Sequence, residues 1–222
     1  MMTERAPVDP HPLTSKEMAT RVAVDIPEGW YVNLGIGIPT LIADQMPSDR
    51  EVIFHSENGI LGMGPVPRPE LVDPWLINAG KQHITLRAGG SFFHHAESFA
   101  MIRGGHLDLS VLGAFEVAEN GDVANWATLE KDTALGVGGA MDLATGAKRL
   151  WIVMEHTTKD GRPRLVRRCS YPLTALGTVK RVYTNLAVLE VVPQGFAVTE
   201  MIPGMTLDSL QSRTEAKLVP PS

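Results

Sequence analysis

Apolar residues recur at helical spacing at Met18, Val22, Ala23 and Ile26, directly behind Thr14-Ser15-Lys16-Glu17, whose spacing is that of a capping box. A first helix is therefore predicted over Ser15 to Ile26. Trp30 to Leu34 reads as an extended segment, and Gly35-Ile36-Gly37-Ile38 hands the chain to Pro39, a residue suited to the first turn of a helix that continues to about Met46. Val52 to Ser56 is the next strand. Two strands joined through a helix predict a parallel crossover, which places Glu57 at the carboxyl end of the second.

Met63-Gly64-Pro65-Val66-Pro67-Arg68-Pro69 cannot hold regular structure and is expected to form a loop beside that end, walling one side of a pocket. Ser91 to Phe93 reads as extended, Ala96 to Arg103 as a short helix and Leu107 to Gly113 as a buried strand. Glu119-Asn120-Gly121-Asp122 is a tight turn. Gly136-Val137-Gly138-Gly139 opens a helix over Ala140 to Ala147, and Arg149 to Glu155 returns as a strand. Strand signals at Leu165 to Arg168, Lys180 to Tyr183, Leu186 to Val192 and Phe196 to Met201 follow, separated by turns and expected to pair antiparallel. A short helix spans Leu207 to Ser212. The fold class expected is α/β: an open, mostly parallel sheet flanked by helices, with an antiparallel C-terminal part, in one domain over residues 1–222 with flexible tails at 1–13 and 215–222.

Composition narrows the function classes. A net charge of −5 and the absence of any basic cluster longer than Arg162, Arg164, Arg167 and Arg168 argue against nucleic acid as a partner. Those arginines fit either a solvated loop and strand edge or a surface that meets an anionic small molecule or another chain. Cys169 is the one cysteine, so no intrachain disulfide forms, and a reducing, cytoplasmic setting is expected. Met1 to Leu13 is polar and carries three prolines, unlike a secretory leader, and no apolar run approaches the roughly 20 residues needed to span a bilayer.

Glu57 is the leading candidate for chemistry. A strand running straight into Asn58-Gly59 makes a stiff turn, because both residues tolerate positive φ, and it presents the preceding carboxylate as a nucleophile or general base. The same turn also suits a plain solvated hairpin. Gly35-Ile36-Gly37 begins like a dinucleotide fingerprint, but its third glycine position is Thr40, and Gly136 to Gly139 lacks the Lys-Ser/Thr of a phosphate loop. Both glycine loops are either tight turns or sources of free N–H groups for an anion or oxyanion. The histidines give no metal pattern: His94 and His95 are adjacent, and on an extended segment only one of them reaches a given pocket. Ser56 lacks the nucleophile elbow of serine hydrolases.

Taken together, Phe54-His55-Ser56-Glu57-Asn58-Gly59-Ile60-Leu61-Gly62 resembles the active-site signature of the family I coenzyme A transferases, in the subunit that carries the catalytic glutamate. The blocks Asn33 to Thr40, Ser98 to His106, Gly121 to Trp126 and Gly138 to Leu143 also resemble that family. The resemblance implies that Glu57 attacks an acyl-CoA thioester and becomes a glutamyl-CoA thioester, with the Gly138 backbone as oxyanion donor. It implies substrate contacts at Gly35, Gly37, Asn58, Gly59 and Gly139. No resident cofactor or metal is expected, and coenzyme A enters as a substrate.

The chain lacks the glycine-glycine-phenylalanine signature of the partner subunit, so the resemblance also implies a hetero-oligomer of the A2B2 type in which this chain is the B subunit and a separate A subunit is required. Members acting on 3-oxoadipate resemble it at Ser91-Phe92-Phe93-His94-His95-Ala96, which points to transfer from succinyl-CoA to 3-oxoadipate, with acetoacetate as the alternative acceptor. His94 or His95 would then receive the remote carboxylate. A non-catalytic effector-binding module on the same scaffold is the alternative from another class.

Overall fold

The computed structural model describes residues 10–47, 49–128 and 136–220. In chain order its elements are α1 (Ser15–Asp25), β1 (Tyr31–Leu34), a 3-10 turn at Ile38–Leu41 running into α2 (Ile42–Gln45), β2 (Ile53–Ser56), β3 (Ile60–Met63), β4 (Leu86–Phe92), α3 (His95–Arg103), β5 (Leu109–Leu112), β6 (Glu116–Ala118), β7 (Val123–Ala124), α4 (Ala140–Gly146), β8 (Leu150–Met154), β9 (Leu165–Val166), β10 (Val179–Thr184), β11 (Ala187–Val192), β12 (Gly195–Met201), α5 (Leu207–Gln211) and β13 (Leu218–Val219). The predicted capping box starts α1: the Glu17 carboxylate accepts the Thr14 N–H at 2.8 Å and Thr14 Oγ1 accepts the Glu17 N–H at 3.3 Å.

Among the described residues, ten strands form one sheet in the order β13-β12-β11-β10-β8-β5-β1-β2-β3-β4. The strands from β2 to β10 within that order, β2-β1-β5-β8-β10, are mutually parallel, and β5 and β8 are buried along their whole length. Alternation along β8 divides its side chains between two layers. Leu150, Ile152 and Met154 join the core beneath α3, α4 and α5, while Trp151 and Val153 join the one beneath α1 and α2. The chain goes from β1 to β2 on one side and resumes at β5 on the other, so the order reverses at β1. In open α/β sheets the crevice at such a reversal, outside the carboxyl ends of the strands, is where ligands bind.

Three expectations about the C-terminal part are corrected. β10 is parallel to β8, so antiparallel pairing starts only with β11. β9 leaves the main sheet and pairs parallel with β6 in a three-stranded sheet, β7-β6-β9. Residues 216–219 are not frayed, because Leu218 and Val219 pair with Phe196 and Ala197, and Ala216 and Leu218 are buried. Burial of those apolar side chains, with coverage of the β12 edge, outweighs the polar character of the tail.

Of the Met63 to Pro69 segment, only Met63 reaches the Glu57 end, where it lines a small crevice with Glu57. β3 runs antiparallel to β2, so the rest of the segment leads away from that end, with Gly64 N–H donating to the Thr85 carbonyl at 2.7 Å and Val66 N–H to Asp44 Oδ1 at 3.1 Å. Asn78 to Gly80 also folds beside Glu57, held by Ala79 N–H donating to Ser56 Oγ at 3.0 Å.

Candidate active site

Glu57 is the first residue beyond β2, and strand alternation keeps it on the face of His55, opposite Phe54 and Ser56. On that face it meets the neighbouring strand β1: Asn33 Nδ2 donates to Glu57 Oε2 at 3.2 Å. The same amide donates to the His55 carbonyl at 3.3 Å and lies 3.1 Å from His55 Nδ1, while His55 Nε2 is 2.9 Å from Ser98 Oγ on α3. Asn33, His55 and Ser98 are all at most 1% exposed. Burial pushes the His55 imidazole down to about 4, so at neutral pH it is uncharged. A neutral ring that accepts from Asn33 at Nδ1 carries its proton on Nε2 and donates it to Ser98. This chain of neutral groups fixes one carboxylate oxygen of Glu57 and leaves Oε1 toward Gly139, whose added Cβ would stand 3.8 Å away.

Oε1 faces a cavity of about 430 Å³. Gly35 at the end of β1, and Leu112 and Gly113 at the end of β5, form its floor, so it occupies the reversal point of the sheet. The Gly136 to Gly139 loop and Phe115 with Trp126 line its sides. Gly35 is there because its backbone comes close to β5: its N–H donates to the Val111 carbonyl at 2.8 Å, and a Cβ would press on Leu112. Gly138 has φ of +54°, and no described residue accepts the N–H of Gly138 or Gly139. Among the described residues, these donors at the cavity wall have no acceptor. Among the described residues, no group of three or more His, Cys, Asp and Glu side chains is placed to hold a metal ion, and no helix is long and apolar enough to cross a membrane.

The residues named from sequence thus divide. Glu57, Gly35, Gly138 and Gly139 come together; Gly37, Asn58, Gly59, His94 and His95 do not line the cavity. Asn58 Nδ2 donates to the Ile77 carbonyl at 2.8 Å, and Gly59, with φ of +107°, packs so closely on β4 that a Cβ would collide with the Phe93 carbonyl oxygen. Both contacts hold the turn that carries Glu57. Gly59→Ala is expected to cost about 3 kcal/mol or more, because it combines strained φ with a backbone clash, whereas Asn58→Ala loses one hydrogen bond, about 1 kcal/mol. Urea unfolding of both variants checks this; equal losses would remove the clash as the cause.

His94 and His95 do not continue the extended segment as a pair. His94 caps α3, its Nδ1 accepting the Ala96 N–H at 3.1 Å, and His95 packs on the Phe99 ring at 4.8 Å between centroids. The turn after β4 has become a capping box with Glu97 at its third position. Burial, with Glu116 and Asp122 nearby, pushes the Cys169 thiol up to about 12, which keeps it protonated at neutral pH. Glu116 accepts the Ser170 N–H at 2.6 Å and the Ser170 hydroxyl at 2.8 Å, so it holds a turn. Sequence reasoning gave no role to Asn33, His55 and Ser98, although each stands in a quoted block. The available signal was a polar residue interrupting an apolar strand.

A coenzyme A transferase profile matches residues 15–212. The chain is 56% identical over 207 residues to the B subunit of the 3-oxoadipate CoA-transferase of Pseudomonas putida, covering 93% of this chain and 97% of that protein. It is 49% identical over 197 residues to the B subunit of the succinyl-CoA:3-ketoacid coenzyme A transferase of Helicobacter pylori, covering 89% and 94%. Among solved structures, an acyl-CoA transferase from Escherichia coli O157:H7 matches with a TM-score of 0.73 at 19% identity, covering 99% of this chain and 43% of that longer one. At that identity the structural likeness bears on the fold alone.

Proposed function

This chain belongs to the coenzyme A transferase family and is a CoA-transferase, and from that premise we propose that it moves coenzyme A from succinyl-CoA to 3-oxoadipate through a covalent intermediate on Glu57. The observation that carries the reading is the asymmetry of the carboxylate: Asn33 holds Oε2, while Oε1 has no partner among the described residues and faces a cavity rimmed by glycine N–H groups that no described residue accepts. Oε1 attacks the thioester carbonyl, the C–S bond breaks, and coenzyme A leaves as thiolate from an acyl-glutamyl anhydride. The thiolate then attacks the Glu57 carbonyl and expels succinate, giving the glutamyl-CoA thioester. The carboxylate of 3-oxoadipate attacks that thioester, and the two steps run in reverse. Each addition builds an oxyanion, and the Gly138 N–H is suited to receive it.

Exchanging a thioester between two carboxylic acids is close to balanced in energy, so the proposed cycle calls for no resident metal or redox cofactor; coenzyme A is a substrate. An anhydride on Glu57 would hydrolyse in an open cleft, and the cavity of the single chain is open on one side. A separate A subunit closing it, in an A2B2 assembly in the cytoplasm, fits both that need and the naming of the relatives as B subunits. Acetoacetate is the second acceptor to consider, given the 3-ketoacid relative. The purified chain is expected to be inactive until the A subunit is supplied, and the reconstituted enzyme to show a higher kcat/KM for 3-oxoadipate than for acetoacetate. Full activity of the isolated chain would overturn the first expectation, and a preference for acetoacetate the second.

A further inference from the structure

Among the described residues lining the Glu57 cavity there is one cationic side chain and one anionic one, Arg164 and Glu57. The polar neighbours are already committed. Asn125 Nδ2 donates to the Gly113 carbonyl at 3.1 Å and its Oδ1 accepts from Thr174 at 2.6 Å, while Trp126 Nε1 donates to the Leu173 carbonyl at 3.1 Å. Arg164 differs from them. Its Nε is sealed from solvent with no hydrogen-bond partner, and among the described residues no carboxylate lies within ion-pair distance of its guanidinium. The sealed Nε is out of a ligand's reach, but the side chain as a whole is part-buried and lines the cavity, so with no described carboxylate paired to it the outer end of its guanidinium can meet an anionic ligand that enters there.

The backbone beneath Arg164 is fixed on both sides. Its N–H donates to the His156 carbonyl at 3.1 Å and its carbonyl accepts the Val117 N–H at 2.9 Å, immediately before β9. A planar fork on a rigid support suits a carboxylate. Of the other arginines in the stretch, Arg162 pairs with Asp160 at 2.7 Å, and neither it nor Arg168 lines the Glu57 cavity; both border a neighbouring cavity of about 280 Å³ that Arg164 also touches.

We propose that Arg164 receives the second carboxylate of a dicarboxylic acyl group whose other end reacts at Glu57. The inference rests on the transferase reading above and deepens it: succinyl and 3-oxoadipyl groups both carry a distal carboxylate, so one residue serves both halves of the exchange. It also replaces His94 and His95 in that role.

The test uses the reconstituted enzyme with Arg164→Met, which keeps the length and apolar bulk of the side chain, and Arg164→Lys, which keeps the charge. Two exchanges are compared: succinyl-CoA with 3-oxoadipate, and acetoacetyl-CoA with labelled acetoacetate, in which neither acyl group has a second carboxylate. Arg164→Met is expected to lower kcat/KM for the dicarboxylate pair by about thirtyfold or more, mostly through KM, because charge-assisted hydrogen bonds are lost. The acetoacetate exchange should change less than about threefold, and Arg164→Lys should restore part of the loss. Equal losses in both exchanges, or no loss in either, would overturn the assignment while leaving the transferase reading intact. Should the wild-type enzyme prefer acetoacetate as acceptor, the 3-oxoadipate reading fails, and Arg164 is then judged on succinyl-CoA against acetoacetyl-CoA as donors. A selective loss with succinyl-CoA supports the role, and its absence refutes it.

Discussion

Glu57→Gln is expected to lower CoA transfer in the assembled enzyme by on the order of 10,000-fold or more, the scale seen when a covalent nucleophile is removed. Gln keeps the length of the side chain and an oxygen that can accept from Asn33, so the turn, the cavity and the docking of the A subunit should be unchanged. What disappears is the anionic oxygen facing the cavity. A neutral amide does not form the anhydride, and no other described side chain lining the cavity can replace it, since the remaining polar groups there are the amide of Asn125, the indole of Trp126 and the guanidinium of Arg164. The effect should fall on kcat, with acyl-CoA still bound. Incubating the wild-type complex with acyl-CoA and then borohydride should reduce a thioester at Glu57, visible by peptide mass, and the variant should show none. Retention of more than about one part in a hundred of the activity would argue against covalent relay through this residue.

How much of this was legible beforehand depended on the range of the interaction. The capping box of α1, the buried strands β5 and β8 and the strand-to-turn setting of Glu57 are written in neighbouring residues, so periodicity and turn chemistry suffice for them. The support behind Glu57 is not local. Asn33 meets His55 across 22 positions and His55 meets Ser98 across 43, and both contacts require that β1 lie beside β2 with α3 packed on one face. Before the strand order is known, a polar residue in an apolar strand reads equally as an exposed position. Arg164 was hidden for the same reason: four arginines share a short stretch, and which one reaches the cavity follows from β9 pairing with β6, a register its two residues are too short to announce. His94 and His95 misled in the other direction. Alternation would separate the two rings on an extended backbone, but the Glu97 three residues beyond His94 closes a capping box and turns the chain into α3.

Acid is expected to destabilise this fold well above the range where carboxylates protonate. Two imidazoles are buried: His55 behind Glu57, and His156, which lies between Thr184 Oγ1 at 3.0 Å and Thr214 Oγ1 at 2.8 Å. Burial pushes both down to about 4, with Arg213 adding to the effect at His156. In the unfolded chain each titrates near 6.5, so between about pH 6.5 and 4 the unfolded state binds protons that the folded state refuses. Stability is therefore fully present above about pH 6.5 and falls with decreasing pH, by about 1.4 kcal/mol per pH unit for each histidine and about 3 kcal/mol each when complete. Urea midpoints from pH 7 to 4.5 should show a slope near twice the single-histidine value, and His156→Gln should halve it. An unchanged midpoint over that range would mean that neither ring resists protonation. Activity should follow the fold down in pH, because the folded protein keeps His55 Nδ1 unprotonated, as the acceptor that faces the Asn33 amide behind Glu57, until about pH 4. Loss of kcat is expected to coincide with loss of the near-ultraviolet signal, whereas a fall in kcat well above pH 4 with a native spectrum would mean that the ring behind Asn33 takes up its proton earlier.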